Sequence, residues 1–218
     1  MEQSVNMVEH LSPLQGWELA LTGKASIVDV RGSAKFALGH PQGALSVPFS
    51  QKGLETRLGT VIQDGSPLIL IAEDPEQAAA AISQLSESSV FPTLYSLEGG
   101  IDAWHANGLP TEVLNEVSPQ TASQAATTDE TVVLDVREPI EWEMGHVPGA
   151  LLISLGELRK RLHELPTQKD IIVICEAGVR SSSAASILQA AGLKGISHVP
   201  EGTGGYRNSG LPLEFYKE

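Results

Sequence analysis

The sequence predicts an α/β fold made of two tandem domains, each a mainly parallel central sheet flanked by helices. Two long stretches of the chain match each other at a spacing of 106 residues. Short all-apolar runs recur in both copies, which is typical of parallel strands that are buried on both faces. Helix-forming stretches alternate with these runs, as they do in doubly wound sheets.

The internal repeat is visible at several places along the chain. Residues 27–31 match residues 133–137, and Gly39-His40 matches Gly145-His146. After a change of three residues in length, 68–71 matches 171–174. Each copy, at about 100 residues, is long enough to close its own core. We therefore predict one domain over residues 1–112 and a second over residues 113–218.

Local signals place the elements. Ser12 and Ser118 each precede proline and are predicted to cap helices. Ligands of parallel α/β sheets bind at the carboxyl ends of the strands, so those ends are where a site is expected. Strands are predicted over 26–30, 68–72, 132–136 and 171–175, and helices over 77–85 and 181–191, the latter ending at Gly192.

Composition excludes several classes of function. The net charge is −13, with too few Lys and Arg to follow a phosphate backbone, so neither nucleic acid nor a membrane is an expected partner. No apolar run is long enough to span a bilayer. The N-terminus lacks a signal-peptide pattern, which favours a cytoplasmic location, and we expect a monomer. A single Cys and six scattered His indicate no disulfide, no metal site and no cofactor.

The single cysteine stands where chemistry is expected. Cys175 ends an apolar run, and Gly178, Arg180 and Ser181 follow before a predicted helix. A helix N-terminus favours a thiolate, Gly178 allows backbone N–H groups to converge, and Arg180 adds a fixed positive charge. Such a thiolate is an activated nucleophile. The alternative is an inert, buried cysteine at the end of a strand.

The segment C-E-A-G-V-R-S at 175–181 resembles the C-x-x-G-x-R-S loop of rhodanese-like sulfurtransferases, and L-D-V-R-E at 134–138 and G-H-V-P-G-A at 145–150 agree with it. The resemblance implies two-step sulfur transfer. A donor such as thiosulfate, mercaptopyruvate or a protein persulfide sulfurates the cysteine, and a thiol or cyanide removes the sulfur. It implies catalytic roles for Cys175 and Arg180, a substrate-binding loop of Glu176, Ala177, Gly178, Val179 and Ser181, and supporting roles for Asp135 and Arg137.

The length of the loop separates this family from a rival one. Tyrosine phosphatases have a C-x5-R loop, which wraps a phosphoryl group, whereas Arg180 follows Cys175 in a C-x4-R arrangement. The smaller loop favours one sulfur atom over phosphate.

The first copy lacks the reactive groups. Ala72 stands in the place of Cys175, and Gln77 stands in the place of Arg180. Pro75, which has no N–H, matches Gly178. We predict that the first domain is catalytically inactive. It either packs beside the active loop or docks a donor or acceptor protein.

Glu176 departs from a purely cationic site. Its side chain points either to solvent or into the pocket. In the pocket, the carboxylate would disfavour the Cys175 thiolate and repel thiosulfate. Thiosulfate is therefore predicted to be a mediocre donor and a persulfide a better one.

Three further interpretations stay open at this point. Residues 201–206 form either an ordinary loop with Tyr206 as a core aromatic or a flexible rim beside Cys175. Asp135 with Arg137, and also His146, are interpreted first as structural groups. A non-enzymatic interaction or redox-sensing module remains the alternative to an enzyme, because low-pKa thiolates also oxidise readily.

Overall fold

The computed structural model describes residues 8–62, 65–86, 88, 90–91 and 93–215. The chain divides into two compact units between Val113 and Leu114. Within the described ranges, each unit contains a five-stranded sheet in which all neighbouring strands are parallel. The predicted α/β class, with two parallel sheets flanked by helices, is confirmed.

The first unit has the strands β1 (Glu9–Leu11), β2 (Ser26–Asp29), β3 (His40–Pro41), β4 (Leu45–Ser46), β5 (Leu68–Ile71), β6 (Leu94–Leu97) and β7 (Thr111–Glu112). Its helices are α1 (Pro13–Leu21), α2 (Ser33–Leu38), α3 (Leu54–Val61), α4 (Pro75–Leu85) and α5 (Gly100–Ala106). The main sheet has the order β1-β6-β5-β2-β4, and β3 pairs with β7 in a small antiparallel sheet.

The second unit has the strands β8 (Asn115–Glu116), β9 (Thr131–Asp135), β10 (Leu151–Leu152), β11 (Asp170–Ile174) and β12 (Ile196–His198). Its helices are α6 (Pro119–Ala125), α7 (Pro139–Glu143), α8 (Leu155–Arg161), a 3-10 turn (Leu162–Glu164), α9 (Val179–Ala190) and α10 (Gly202–Asn208). The sheet has the order β10-β9-β11-β12-β8, so β11 lies at its centre.

The apolar runs become strands because both faces of the sheet are covered. Every residue from Ile171 to Ile174 of β11 is buried. This burial explains why the strand sequence shows no alternation of apolar and polar residues. The observed strands end one residue before the predicted ones, so Cys175 is the first residue beyond β11.

Helix capping follows the sequence at two places. Ser12 Oγ accepts a hydrogen bond from Gln15 N, and Ser118 Oγ accepts one from Thr121 N at 3.1 Å. Proline at the first position of α1 and of α6 has no N–H to leave unpaired.

Helix α9 begins earlier than predicted, at Val179 and not at Ser181. Gly178 is its N-cap and has a φ of +84°, a value that glycine adopts without strain. The helix ends at Ala190, and Gly192, also at φ +84°, follows in the position where glycine commonly ends helices.

Residues 201–206 are not a loop, because Gly202 begins α10. Tyr206 is fully buried and packs in the same core cluster as Val133, Ile174 and Val199. Its hydroxyl donates a hydrogen bond to Ser123 Oγ at 3.0 Å. The interpretation of Tyr206 as a core aromatic therefore agrees with the structure, whereas the segment itself is helical.

Among the described residues, no helix combines the length and the apolar character needed to cross a membrane.

Candidate functional site

Cys175 lies at the carboxyl end of the central strand, with only 1% of its surface exposed. Its Sγ accepts a hydrogen bond from the backbone N–H of Ser181 at 3.2 Å. Ser181 is the third residue of α9, and its N–H is one of those that a helix leaves without a backbone partner. The sulfur thus takes the place of a helix-capping oxygen, at the positive end of the helix dipole.

Two glycines let the loop approach α10. A Cβ atom at Gly178 would overlap the carbonyl oxygen of Pro200, and one at Gly202 would overlap the carbonyl oxygens of Cys175 and Glu176. With hydrogen in these places, the N–H of Thr203 donates to the carbonyl of Cys175 at 2.7 Å. Helix α10 therefore holds the backbone of the loop directly at its nucleophile.

Arg180 lies beside the loop but is not free. Its Nη1 and Nη2 each donate to one oxygen of Glu141 at 2.6 Å. This bidentate pair lowers the pKa of Glu141 to about 2 and raises the pKa of Arg180. Glu141 also accepts from Glu138 N at 3.0 Å, which caps α7. The positive charge of Arg180, which the sequence predicted to bind an incoming anion, is thus compensated by the carboxylate of Glu141.

Glu176 is paired as well. Thr203 Oγ1 donates to its carboxylate at 2.6 Å, Arg207 binds it through both terminal nitrogens, and Arg137 Nη1 lies 3.7 Å away. Burial alone would raise the pKa of Glu176, but the hydrogen bonds from Arg207 and Thr203 lower it. The carboxylate therefore brings little uncompensated charge to the site. Weak use of thiosulfate stays a prediction, but repulsion by the Glu176 carboxylate no longer supports it.

A buried histidine supports the loop from behind. Ser181 Oγ donates to the carbonyl of Gly178 at 2.9 Å and lies 3.2 Å from His198 Nδ1. His198 has no exposed surface, and burial lowers its pKa to about 4. Its ring is therefore neutral at neutral pH.

The two other loop positions face outwards. Ala177 and Val179 are exposed, whereas Cys175 and Gly178 are buried. The structure places their side chains on the outer side of the loop.

Asp135 and Arg137 form a buried ion pair with two-pronged geometry, the shortest distance being 2.7 Å. Arg137 also donates to the carbonyl of Gly145 at 3.0 Å. Asp29 and Arg31 make the same pair in the first unit, which has no cysteine. The pair therefore belongs to the fold, and its contact with Glu176 joins it to the loop.

His146 serves the same turn. Its ring stacks on Trp142 with centroids 3.5 Å apart, and its Nδ1 hydrogen-bonds the Trp142 carbonyl at 3.1 Å. His40 stacks on Phe36 in the same way in the first unit. Among the described residues, neither histidine has a hydrogen bond or an ion pair with the loop of its unit.

The corresponding place in the first unit is built differently. Ala72 follows β5, and Asp74 caps α4 by accepting from Gln77 N at 2.7 Å. Glu73 pairs with Lys35. A cavity of about 340 Å³ remains there, and carboxylates line it. The side chain of Asp74 caps the N–H of Gln77, the third residue of α4, as the sulfur of Cys175 caps that of Ser181, the third residue of α9.

Sequence reasoning missed three residues of the site: Glu141, His198 and Arg207. Aligning the copies could have revealed Glu141, because Lys35 stands at its position in the unit without the arginine. His198 ends β12, next to β11, where the carboxyl ends of parallel strands meet. Arg207 carries no sequence signal beyond its position next to Tyr206. Among the residues that the structure describes, no group of His, Cys, Asp or Glu could hold a metal ion.

Comparison with known families identifies the family of the chain. The model of the rhodanese-like domain matches residues 13–107 and again residues 118–209. The chain belongs to the rhodanese-like family. It carries two copies of the domain in tandem, as the internal repeat indicates.

Curated relatives of this rhodanese-like protein include several with names that describe sulfur transfer. A sulfurtransferase of Allochromatium vinosum is 28% identical over 46% of this chain and 95% of its own length. The thiosulfate sulfurtransferase GlpE of Actinobacillus pleuropneumoniae is 31% identical over 47% of this chain and 91% of its own length. YrkF of Bacillus subtilis is 40% identical over 40% of this chain, and the match spans 48% of that protein. Together with the two domains, these relatives support sulfur transfer in general.

Proposed function

We propose that the protein is a sulfurtransferase that carries a sulfane sulfur as a persulfide on Cys175. The observation that carries this proposal is the hydrogen bond from Ser181 N to Cys175 Sγ, at the N-terminus of α9. A hydrogen bond to sulfur stabilises the anionic form more than the neutral one. The same contact can stabilise the terminal sulfur or the thiolate left after transfer.

Sulfur transfer through Cys175 takes two steps. The Cys175 thiolate attacks the outer sulfur of a donor, forming an S–S bond as the bond to the leaving group breaks. Sulfite leaves from thiosulfate with the electron pair, and a thiolate leaves from a persulfide. An acceptor thiolate or cyanide then attacks the outer sulfur, and Cys175 departs as thiolate. No base is needed at an ionised sulfur, and His146 makes no hydrogen bond to the described loop residues.

The first domain is proposed to be inactive. Ala72 provides no nucleophile, and Asp74 already satisfies the N–H of Gln77 at the start of α4. An anion would meet the carboxylate of Asp74 there, whereas that of Glu73 is paired with Lys35.

Intact-mass spectrometry tests the proposal. The full-length protein is incubated with thiosulfate or with a low-molecular-weight persulfide, freed of donor and weighed. We expect the addition of one sulfur atom in the wild type and none in Cys175→Ser, which keeps an acceptor atom for Ser181 N. Only oxygen or glutathione adducts on Cys175, with no added sulfur from any donor, would instead indicate a redox sensor.

A further inference from the structure

The pair between Glu141 and Arg180 bears on which donor the loop accepts. Arg180 is the cationic side chain of the loop itself, and its charge interacts with that of Cys175. A guanidinium has five N–H groups, of which Glu141 takes one on each terminal nitrogen. Arg180 therefore keeps N–H groups for further hydrogen bonds. Its positive charge, however, is compensated by the Glu141 carboxylate, which lies 2.6 Å away.

The other arginines that reach the loop are compensated too. Among the described residues, Arg137 pairs with Asp135, and Arg207 pairs with Glu176. The site therefore presents backbone N–H groups without an excess of positive charge. Such a site loses most of the Coulombic advantage that a doubly charged ligand would gain from an unpaired arginine.

In the first unit too, the residue at the position of Glu141 has a charge opposite to that of the loop residue with which it pairs. Lys35 occupies the place of Glu141 and pairs with Glu73 of a loop that lacks an arginine. The sign of the side chain on the helix is thus opposite in the two units, as is the sign of the loop residue that it meets.

We infer that Glu141 is a specificity-determining residue that masks Arg180 and so disfavours dianionic donors such as thiosulfate. The inference rests on the proposed function. The donors that it favours carry at most one negative charge on the transferred group, as a persulfide on another protein does. Glu141 acts through Arg180 and makes no hydrogen bond to the reacting sulfur.

Glu141→Gln is a clean variant because it removes the charge and keeps the shape. Glutamine also fits the third position of a capping box, so the hydrogen bond from Glu138 N and the start of α7 are retained. Glu164→Gln is the matched control. It removes a carboxylate from another arginine pair of the same unit, that with Arg161, which makes no hydrogen bond to the described loop residues.

The first readout does not depend on sulfur transfer. Cys175 is the single cysteine of the chain, so alkylation by iodoacetate (an anion) and iodoacetamide (neutral) reports on one sulfur. The rate constant for iodoacetate is divided by that for iodoacetamide, and this ratio is independent of any change in the fraction of thiolate. We expect this ratio to rise roughly threefold in Glu141→Gln. It should stay at the wild-type value in Glu164→Gln and return towards it in Glu141→Gln/Arg180→Gln.

The second readout is single-turnover loading of Cys175 with thiosulfate. Because thiosulfate carries two charges, we expect a rise of about tenfold in Glu141→Gln, and a smaller rise with a monoanionic persulfide. An unchanged alkylation ratio, or a changed ratio with no gain for thiosulfate over the persulfide, would overturn the inference. If no donor sulfurates any of the variants, the proposed function fails, and the alkylation ratio alone still decides whether Glu141 masks Arg180.

Discussion

At the scale of single residues, the sulfur of Cys175 acts as the cap of a helix. The sequence indicated the cysteine, the glycine and the arginine of the loop, because their order in a strand–loop–helix segment has a direct physical meaning. It did not indicate the partners of Arg180 and Glu176. Those partners come from α7 and α10, and side-chain pairing across elements depends on packing that local patterns do not encode.

His198 provides a residue-scale prediction. Its pKa is lowered from 6.5 to about 4 by burial, so the folded chain binds the proton less readily than the unfolded chain. Stability is therefore full above about pH 6.5 and falls as the pH drops towards about 4, by up to roughly 3 kcal/mol. In His198→Gln, which does not titrate, we expect this loss to be smaller.

The measurement is denaturant unfolding of the wild type and of His198→Gln at several pH values between about 7 and 4. His40, whose pKa burial also lowers, is present in both proteins, so it cancels in the difference. A difference in the free energy of unfolding that does not change with pH would contradict the prediction.

At the scale of elements, the site depends on how the start of α9 meets the start of α10. The sequence predicted the helix of the loop within two residues, and the hydrophobic pattern predicted β11. The close approach of α10 was not predictable, because Gly202 looked like part of a glycine-rich loop. It is a helix because the N–H groups of Thr203 and Gly204 bind the carbonyls of Cys175 and Glu176.

Gly178→Ala tests this contact, and Gly192→Ala is a matched control. Both glycines have a φ of +84°, but Gly192 has open space around it, whereas a Cβ at Gly178 would overlap the backbone of Pro200. Backbone strain alone is worth about 1–2 kcal/mol and applies to both variants.

We expect Gly178→Ala to lose roughly 2 kcal/mol more than Gly192→Ala in the free energy of unfolding. The reason is that the backbone carbonyl of Pro200, unlike a flexible side chain, cannot move aside for the added Cβ. We also expect Gly178→Ala to lose sulfur loading, and Gly192→Ala to retain it. Equal losses of stability, with loading intact in both, would show that the loop does not need the approach of Pro200.

At the scale of the whole molecule, the unit without the cysteine can be compared with the unit that has it. Both units share the parallel sheet, the buried Asp–Arg pair and the stacked histidine, and only the second has Cys175, Gly178 and Arg180. The repeat, and with it the tandem rhodanese-like family, was predictable from the sequence because each copy retains its pattern of buried residues. The features common to both units serve the fold, which leaves the loop as the part that we propose carries out sulfur transfer.

If Cys175 transfers sulfur as proposed, it gives up a sulfur that it has accepted. The most direct measurement is the thiocyanate released when the sulfurated full-length protein, freed of donor, meets cyanide. Since the chain has a single cysteine, we predict one thiocyanate per chain at most, the return of the protein to its original mass, and no release from Cys175→Ser treated in the same way. Protein whose added mass cyanide does not remove, or release that is equal in Cys175→Ser, would contradict the account.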